Sequence, residues 1–141
     1  MIFLPITLAT ASVLGILYAL LSIAVSGERG RSKIGLGTGE ASSALGKEHE
    51  APRLLIAVRR HGHFAEYVPI SLILLTLLEL ANTNRDVLIG LAAALILARL
   101  MITAGMGRPA PNLLRAGGNV IQVLMILTAC GFGLFAVAAN W

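Results

Sequence analysis

The residues of this sequence that are best suited to chemistry lie in one short stretch, residues 59–69. It reads Arg-Arg-His-Gly-His-Phe-Ala-Glu-Tyr-Val-Pro and leads directly into an apolar run. In a helix, Arg59, His63 and Glu66 would follow an i, i+4, i+7 spacing and share one face. Ionisable side chains at depth in a membrane cost about 2.5–3.5 kcal/mol each on insertion scales, so they usually face a protein interior or a wet cavity. We therefore predict that this face lines a polar cavity.

The composition places this stretch in a membrane protein. The chain has 141 residues, of which 57% are hydrophobic and 13% are charged, and its mean hydropathy is +0.84. Soluble domains are closer to a quarter charged. The net charge of +4 does not indicate nucleic acid as a partner, because the basic residues are spread over loops beside apolar segments. In that position they act as topology signals and as contacts for anionic lipids or ligands.

Four apolar segments are long enough to cross a hydrocarbon core of about 30 Å as helices. They occupy residues 4–25, 54–81, 87–106 and 119–139. This pattern predicts an all-α fold, an integral membrane four-helix bundle that forms a single domain over residues 1–141. The length leaves no room for a separate soluble domain.

Arg99 lies well inside the third apolar segment, and that segment contains no acidic residue. Counted from the same side of the membrane at about 1.5 Å per residue, Arg99 and Glu66 lie at the same depth, roughly 12 Å. Equal depth predicts an ion pair between Glu66 and Arg99. The alternative is that Arg99 extends alone towards the loop side, with its aliphatic stem in apolar surroundings.

The distribution of basic residues predicts the orientation of the chain. The loops after the first and third segments, with the polar entry to the second, carry most of the basic residues, whereas the opposite side carries only Arg85. The positive-inside rule then places both basic loops in the cytoplasm and both termini on the opposite side. Five ionisable residues would approach one pocket from the cytoplasmic side: Arg59, His63, Glu66, Arg99 and Arg115. A positively charged cleft of this kind, with one carboxylate to orient a ligand amine or an arginine, suits an amphipathic anion.

Other kinds of site find little support in the sequence. The glycine-rich loop of residues 26–52 lacks a P-loop pattern and is interpreted as a flexible loop. Glu48, His49 and Glu50 are interpreted as a solvated charge cluster rather than a metal site, because no further ligands follow at zinc-like spacing. A four-helix drug–proton exporter would need a carboxylate in its first membrane segment, and residues 4–25 contain none.

The motif Arg59-x-His61-x-His63-x-x-Glu66-x-x-Pro69 resembles the signature of the MAPEG family, the membrane-associated proteins in eicosanoid and glutathione metabolism. The chain is most similar to the bacterial branch, whose members tend to read A-I-R-x-H-x-N-x-x-E-Y-x-P where this chain reads A-V-R-R-H-G-H-F-A-E-Y-V-P. The resemblance extends over nearly the whole chain, including the four segments and the loop lengths. Further matching positions are Gly37, Gly39, Arg99, Arg115 and Gly118.

This resemblance implies a homotrimer of four-helix bundles in a bacterial inner membrane, with glutathione as co-substrate bound between subunits near the cytoplasmic face. Members conjugate glutathione to lipophilic electrophiles, reduce lipid hydroperoxides or isomerise prostaglandin endoperoxides. By matching position, the glutathione-binding residues would be Arg59, Glu66, Arg99 and Arg115, and His63, at the position of the motif asparagine, would be a fifth. Arg115 is the candidate catalytic residue, because a cationic group lowers the pKa of the glutathione thiol and so supplies the nucleophilic thiolate at neutral pH.

The sequence departs from the family pattern at several positions of this site. His63 stands where the motif has an asparagine, and it retains a hydrogen-bond donor. Ile102 stands where many members carry a histidine. Ala104 and Met106 stand near positions where some members have aromatic hydroxyls, and Thr38 stands where bacterial members often have an aspartate.

The resemblance and the charged cleft together predict a membrane-embedded glutathione-dependent transferase or peroxidase that acts on lipophilic electrophiles or hydroperoxides. The alternative is a non-enzymatic lipid- or ligand-binding membrane protein of the same fold, since the family includes such members. The expected partners are further copies of the chain, membrane lipids and a lipophilic small-molecule substrate, and not nucleic acid.

Overall fold

Four long helices make up the protein. The computed structural model describes residues 3–38, 52–109 and 111–140. Within these ranges the helices are α1, Pro5–Ser32; α2, Pro52–Leu80; α3, Arg85–Gly105; and α4, Leu113–Asn140. Each of them contains a stretch that is long and apolar enough to cross a membrane. The all-α four-helix architecture predicted from hydropathy is therefore confirmed.

Two helices extend beyond the apolar segments that predict them. α1 continues past Val25 to Ser32 and ends where Lys33 adopts a left-handed conformation with φ of 55°. α4 begins at Leu113, six residues before its apolar segment, so the basic residue Arg115 lies in the first turn of a helix and not in a loop. Polar residues can continue a helix out of an apolar layer, because its backbone hydrogen bonds are satisfied within the helix itself.

A carboxylate from α2 caps the start of α1. The first amides of a helix have no partner within the helix, and Leu4 provides no side-chain cap. Glu79 accepts hydrogen bonds from the backbone N–H groups of Ile6, at 3.0 Å, and Thr7, at 2.8 Å. Its negative charge is also favourable at the positive end of the helix dipole. This link fixes how α1 and α2 lie along one another.

The helix α3 is the most enclosed of the four. Of its most apolar stretch 39% is buried, compared with 17% for α1 and for α4. The most extensive contacts are those of α3 with α4 and of α1 with α2. Leu75, Leu95 and Ala129 have no exposed surface and belong to one core formed by all four helices. The core holds α3 beside α2, and this brings Arg99 against the ionisable face of α2.

Candidate functional site

The candidate site is built on one face of α2. This helix is continuous through Pro69, so Arg59, His63 and Glu66 lie on one helical surface, as their spacing predicts. Arg59 and Glu66 are exposed, and His63 is half-buried. The ring of His63 is within electrostatic range of three other ionisable groups, those of Glu66, Arg99 and Arg115. His63 therefore interacts electrostatically with charged side chains from α2, α3 and α4.

Arg99 reaches this face from α3 and is almost completely enclosed, with 1% of its surface exposed. Its Nη1 donates a hydrogen bond of 3.3 Å to the backbone carbonyl of His63 and lies 3.2 Å from Nδ1 of the same residue. The guanidinium carbon is 5.7 Å from the centre of the Tyr67 ring. This is within the range of a cation–π interaction. Nε and Nη2 of Arg99 have no hydrogen-bond partner among the described residues.

The ion pair predicted between Glu66 and Arg99 is not formed, so that prediction is wrong. Glu66 is exposed, and within the described ranges Arg99 has no carboxylate within ion-pair distance. Equal depth gives the height of a residue along its helix but not its direction around the axis. His63 and Glu66 are three positions apart on α2, so their side chains differ by about 60° in direction around the helix axis. Arg99 faces His63 and not Glu66. The alternative of an arginine that extends alone to the loop side is not observed either.

Tyr67 belongs to the candidate site by its contacts, although the sequence did not single it out. Its ring stacks on the ring of His63, with centroids 4.7 Å apart and an interplanar angle of 24°, and the ring also lies close to the guanidinium of Arg99. Tyr67 is four residues after His63, and this i, i+4 spacing was a signal that the two rings share a face. The hydroxyl of Ser71 also donates to the Tyr67 carbonyl at 2.8 Å.

Arg115 is positioned by the junction between α3 and α4. Asn112 caps α4, since its side-chain oxygen accepts hydrogen bonds from the backbone N–H groups of Leu114, at 3.1 Å, and Arg115, at 3.3 Å. The amide nitrogen of the same side chain donates to the carbonyl of Gly105 at 2.6 Å. One side chain thus ties the end of α3 to the start of α4. Arg115 is exposed on the first turn of α4.

Two glycines allow this junction to be close. A Cβ atom added to Gly105 would lie 2.7 Å from the backbone nitrogen of Arg115, and one added to Gly118 would lie 2.7 Å from Cγ1 of Ile102. Real Cβ atoms essentially never come so close to other atoms, so any larger residue would push the two helices apart. The backbone that carries Arg115 is therefore held at a fixed distance from α3.

Arg60 holds the end of α3 and does not join the cluster. Its Nε donates to the carbonyl of Met106 at 2.8 Å, and its Nη2 donates to the same oxygen. The next residue, Gly107, has a positive φ of 112°, a conformation that residues with a side chain rarely adopt. Arg60 and Gly107 therefore shape the turn that leads into Asn112.

The site carries an excess of positive charge. Among the described residues it contains the guanidinium groups of Arg59, Arg99 and Arg115 and one carboxylate, that of Glu66. Arginine side chains stay positively charged at neutral pH and recognise carboxylates well. The arrangement can therefore attract an anion and orient it by hydrogen bonds, while Glu66 can accept from an ammonium group of the same ligand.

Metal-ligating side chains are not clustered in the part of the chain that the structure describes. Within residues 3–38, 52–109 and 111–140, no three residues of the types His, Cys, Asp and Glu are grouped so that they could hold a metal ion. The charge cluster of Glu48, His49 and Glu50 lies outside the described residues, as does Gly39 of the first loop.

A comparison with protein-family models finds a match to the MAPEG family over residues 7–135. This range covers most of the chain and includes every residue of the candidate site. The chain belongs to the MAPEG family. Comparisons with curated proteins and with solved structures give no match. MAPEG membership and the four apolar helices together show an integral membrane protein, and they confirm the resemblance that the motif on α2 indicated.

Proposed function

We propose that this MAPEG protein is a glutathione-dependent transferase or peroxidase that acts on lipophilic electrophiles or lipid hydroperoxides within the membrane. The observation that carries the proposal is the position of His63, whose ring is within electrostatic range of the guanidinium groups of Arg99 and Arg115 and of the carboxylate of Glu66, while Arg59 is exposed on the same helix. Glutathione has two carboxylates, one ammonium group and a thiol that becomes an anion when it reacts. A site with positive charge in excess and one acidic residue is complementary to that set of groups.

The proposed roles follow from exposure. Arg59 and Arg115 are exposed and would bind the carboxylates or the thiolate, whereas Glu66 would accept from the ammonium group. Arg99 is buried behind His63 and Tyr67, so it would attract the anionic ligand by its charge without contacting it. Arg115 would be the catalytic residue, because a positive charge beside the thiol favours the thiolate, which is the nucleophile. In surroundings of low dielectric constant this stabilisation is larger than in water.

The assembly and the orientation are part of the same proposal. The active form would be a homotrimer in a bacterial inner membrane, with glutathione bound between subunits. The loops rich in basic residues would face the cytoplasm, where glutathione is made available, and both termini would lie on the opposite side. The lipophilic second substrate would enter from the surrounding lipid.

The experiment that tests this function uses purified protein in detergent or lipid nanodiscs. Glutathione binding is measured by calorimetry, and turnover by conjugation of glutathione to a chlorinated nitroarene. Arg115→Ala is expected to lower kcat by about 10²–10³, as for loss of one group that stabilises a developing anion. Glu66→Gln is expected to weaken glutathione binding by roughly tenfold, since a hydrogen bond to a charged group contributes about 1.5–3 kcal/mol.

The matched control is Arg85→Ala, which removes an exposed arginine from the first turn of α3, at the far end from Arg115. It is expected to change neither binding nor turnover. Wild-type protein that does not bind glutathione, or an Arg115→Ala variant with unchanged kcat, would contradict the proposal.

One structural observation favours the second candidate function, a non-enzymatic ligand-binding protein. Ile102 and Met106 are buried apolar residues, 3% and 7% exposed, at positions near which other family members carry histidine or aromatic hydroxyls. The site would then lack the groups that assist turnover, and it would bind an amphipathic anion without converting it. Glutathione binding with no conjugation and no peroxide reduction would support this second function over the first.

A further inference from the structure

Arg99 and His63 meet in a contact in which only one direction of donation is chemically possible. Nη1 of Arg99 lies 3.2 Å from Nδ1 of His63 and donates to the carbonyl oxygen of the same residue. A guanidinium has five N–H donors and no acceptor. Nδ1 of His63 must therefore offer its lone pair to Arg99. In an imidazole that accepts at Nδ1, the ring proton is on Nε2.

We propose that Arg99 is a positioning residue that locks His63 in its Nε2–H tautomer, so that the imidazole presents a fixed hydrogen-bond donor to the bound ligand. This inference rests on the proposed function, and it specifies which kind of glutathione atom contacts His63. That atom is an acceptor, a carboxylate oxygen or the thiolate sulfur of glutathione, and not an N–H donor.

The burial of the two residues assigns them these different roles. Arg99 is 1% exposed, so a ligand on the face of α2 contacts it only through the residues that cover it. His63 is half-buried and is one of those covering residues. The ligand does not touch Arg99. Arg99 can still affect ligand binding, because it fixes the orientation of His63, which the ligand does touch.

The ring of His63 is restrained in two directions. Arg99 holds its Nδ1 edge, and the Tyr67 ring covers one face with centroids 4.7 Å apart. A half-turn of the ring about its Cβ–Cγ bond would put Cδ2 in place of Nδ1 and so break the contact with Arg99. Of the two ring nitrogens, Nε2 is the one that Arg99 does not occupy. A donor that is already oriented loses little conformational freedom when the ligand binds.

Nitrogen-15 NMR of histidine-labelled protein tests the tautomer directly and needs no ligand. The signals of His63 are assigned by their disappearance in the His63→Gln variant. Wild-type protein at neutral pH is expected to show a protonated Nε2 and an unprotonated Nδ1, as a single tautomer. The Arg99→Met variant, which keeps an unbranched apolar stem but removes the donor, is expected to show a mixture of both tautomers. A proton on Nδ1 in wild-type protein, or an unchanged single tautomer in Arg99→Met, would overturn the inference.

Glutathione titrations test whether the ligand uses this donor. A glutamine amide nitrogen reaches about as far as Nε2 of histidine, whereas an asparagine amide nitrogen reaches only about as far as Nδ1. His63→Gln is therefore expected to retain the wild-type dissociation constant within about threefold. His63→Asn and Arg99→Met are expected to raise it about tenfold or more, the loss expected for one hydrogen bond to a charged group. Equal affinities of the asparagine and glutamine variants would overturn the inference.

The two measurements separate this inference from the function on which it rests. Wild-type protein with the Nε2–H tautomer but no affinity for glutathione would contradict both the proposed function and the ligand contact of His63. Protein that binds glutathione with a proton on Nδ1 of His63 would contradict only the inference. A purely structural Arg99 would affect stability without changing the tautomer of His63.

Discussion

Arg99 is a buried positive charge without a negative partner in the part of the chain that the structure describes. Isolated buried charges are costly, so they are usually paired or strongly hydrogen-bonded. Here the compensation comes from the His63 carbonyl, from the lone pair of His63 Nδ1 and from the face of the Tyr67 ring. These groups carry no formal charge, so the positive charge of Arg99 is not cancelled. It remains available to attract an anion to the adjacent face of α2.

At the scale of single residues, Glu66 is expected to matter for ligand binding and not for stability. Its carboxylate is exposed and does not pair with Arg99, so Glu66→Ala is expected to change the free energy of unfolding by no more than about 0.5 kcal/mol. Thermal unfolding of the ligand-free protein in detergent measures this change. Leu75→Ala, at a residue of the same helix with no exposed surface, is the positive control and is expected to cost about 2–5 kcal/mol. A loss of about 3–5 kcal/mol in Glu66→Ala would instead indicate a buried ion pair that involves Glu66.

The sequence predicted which residues share a helix face at the candidate site, but it was less informative about how the residues of different helices face one another. The i, i+4, i+7 spacing correctly predicted the shared face of Arg59, His63 and Glu66. The depth of Arg99 predicted an ion pair with Glu66, and this prediction was wrong because depth contains no information about direction around a helix axis; Arg99 contacts His63 instead. Tyr67 was overlooked because an aromatic residue in an apolar helix is usually a packing residue.

At the scale of helices, the close contact between α3 and α4 is expected to control where Arg115 lies. In Gly118→Ala the new methyl group would meet Ile102 and the carbonyl of Ala98. We expect a loss of about 1–3 kcal/mol in unfolding free energy, typical of overpacking. Because the same shift would move Arg115, we also expect a lower kcat for glutathione conjugation. Thermal unfolding and the nitroarene assay measure the two effects.

Gly131→Ala is the matched control for this substitution, because it is on the same helix but a Cβ atom there would meet nothing within 4 Å. It is expected to leave activity unchanged and to raise stability by up to about 1 kcal/mol, since alanine favours a helix more than glycine does. The structure shows α3 and α4 in close contact at Gly118. If both alanine variants behave alike, this close contact is absent from the protein.

Hydropathy predicted the four helices, because twenty or so consecutive apolar residues have few other stable arrangements in a membrane. It did not predict where the helices end. Those ends depend on single polar contacts, such as the cap from Asn112 and the hydrogen bonds from Ile6 and Thr7 to Glu79. The capping residue for α1 comes from a helix more than seventy residues away in sequence, and local sequence patterns cannot reveal such a cap.

At the scale of the whole molecule, the exposed residues of the site argue that one chain is not the complete membrane unit. Glu66 is midway along α2, which is one of the candidate membrane-spanning helices, and yet it is exposed in the single chain. A carboxylate that faces lipid at depth is unfavourable by several kcal/mol. Water, ligand or another protein chain must therefore cover this face. The proposed homotrimer would provide the cover, because a neighbouring chain packed beside α2 would close the cleft around Glu66.

Native mass spectrometry of the protein released from nanodiscs tests this assembly, and the expected species has three times the mass of the 14.8 kDa chain. A hydrophobic carbodiimide, which reaches carboxylates from the lipid phase, gives an independent measurement. Glu66 is expected to be protected from this reagent in the assembled protein and to react after the assembly is dissociated in harsh detergent. Glu79, whose two oxygens are engaged by the start of α1, is the internal control and is expected to stay protected while the chain remains folded. A monomer that binds glutathione and reacts readily at Glu66 would show that the site is complete in one chain and would contradict the proposed trimer.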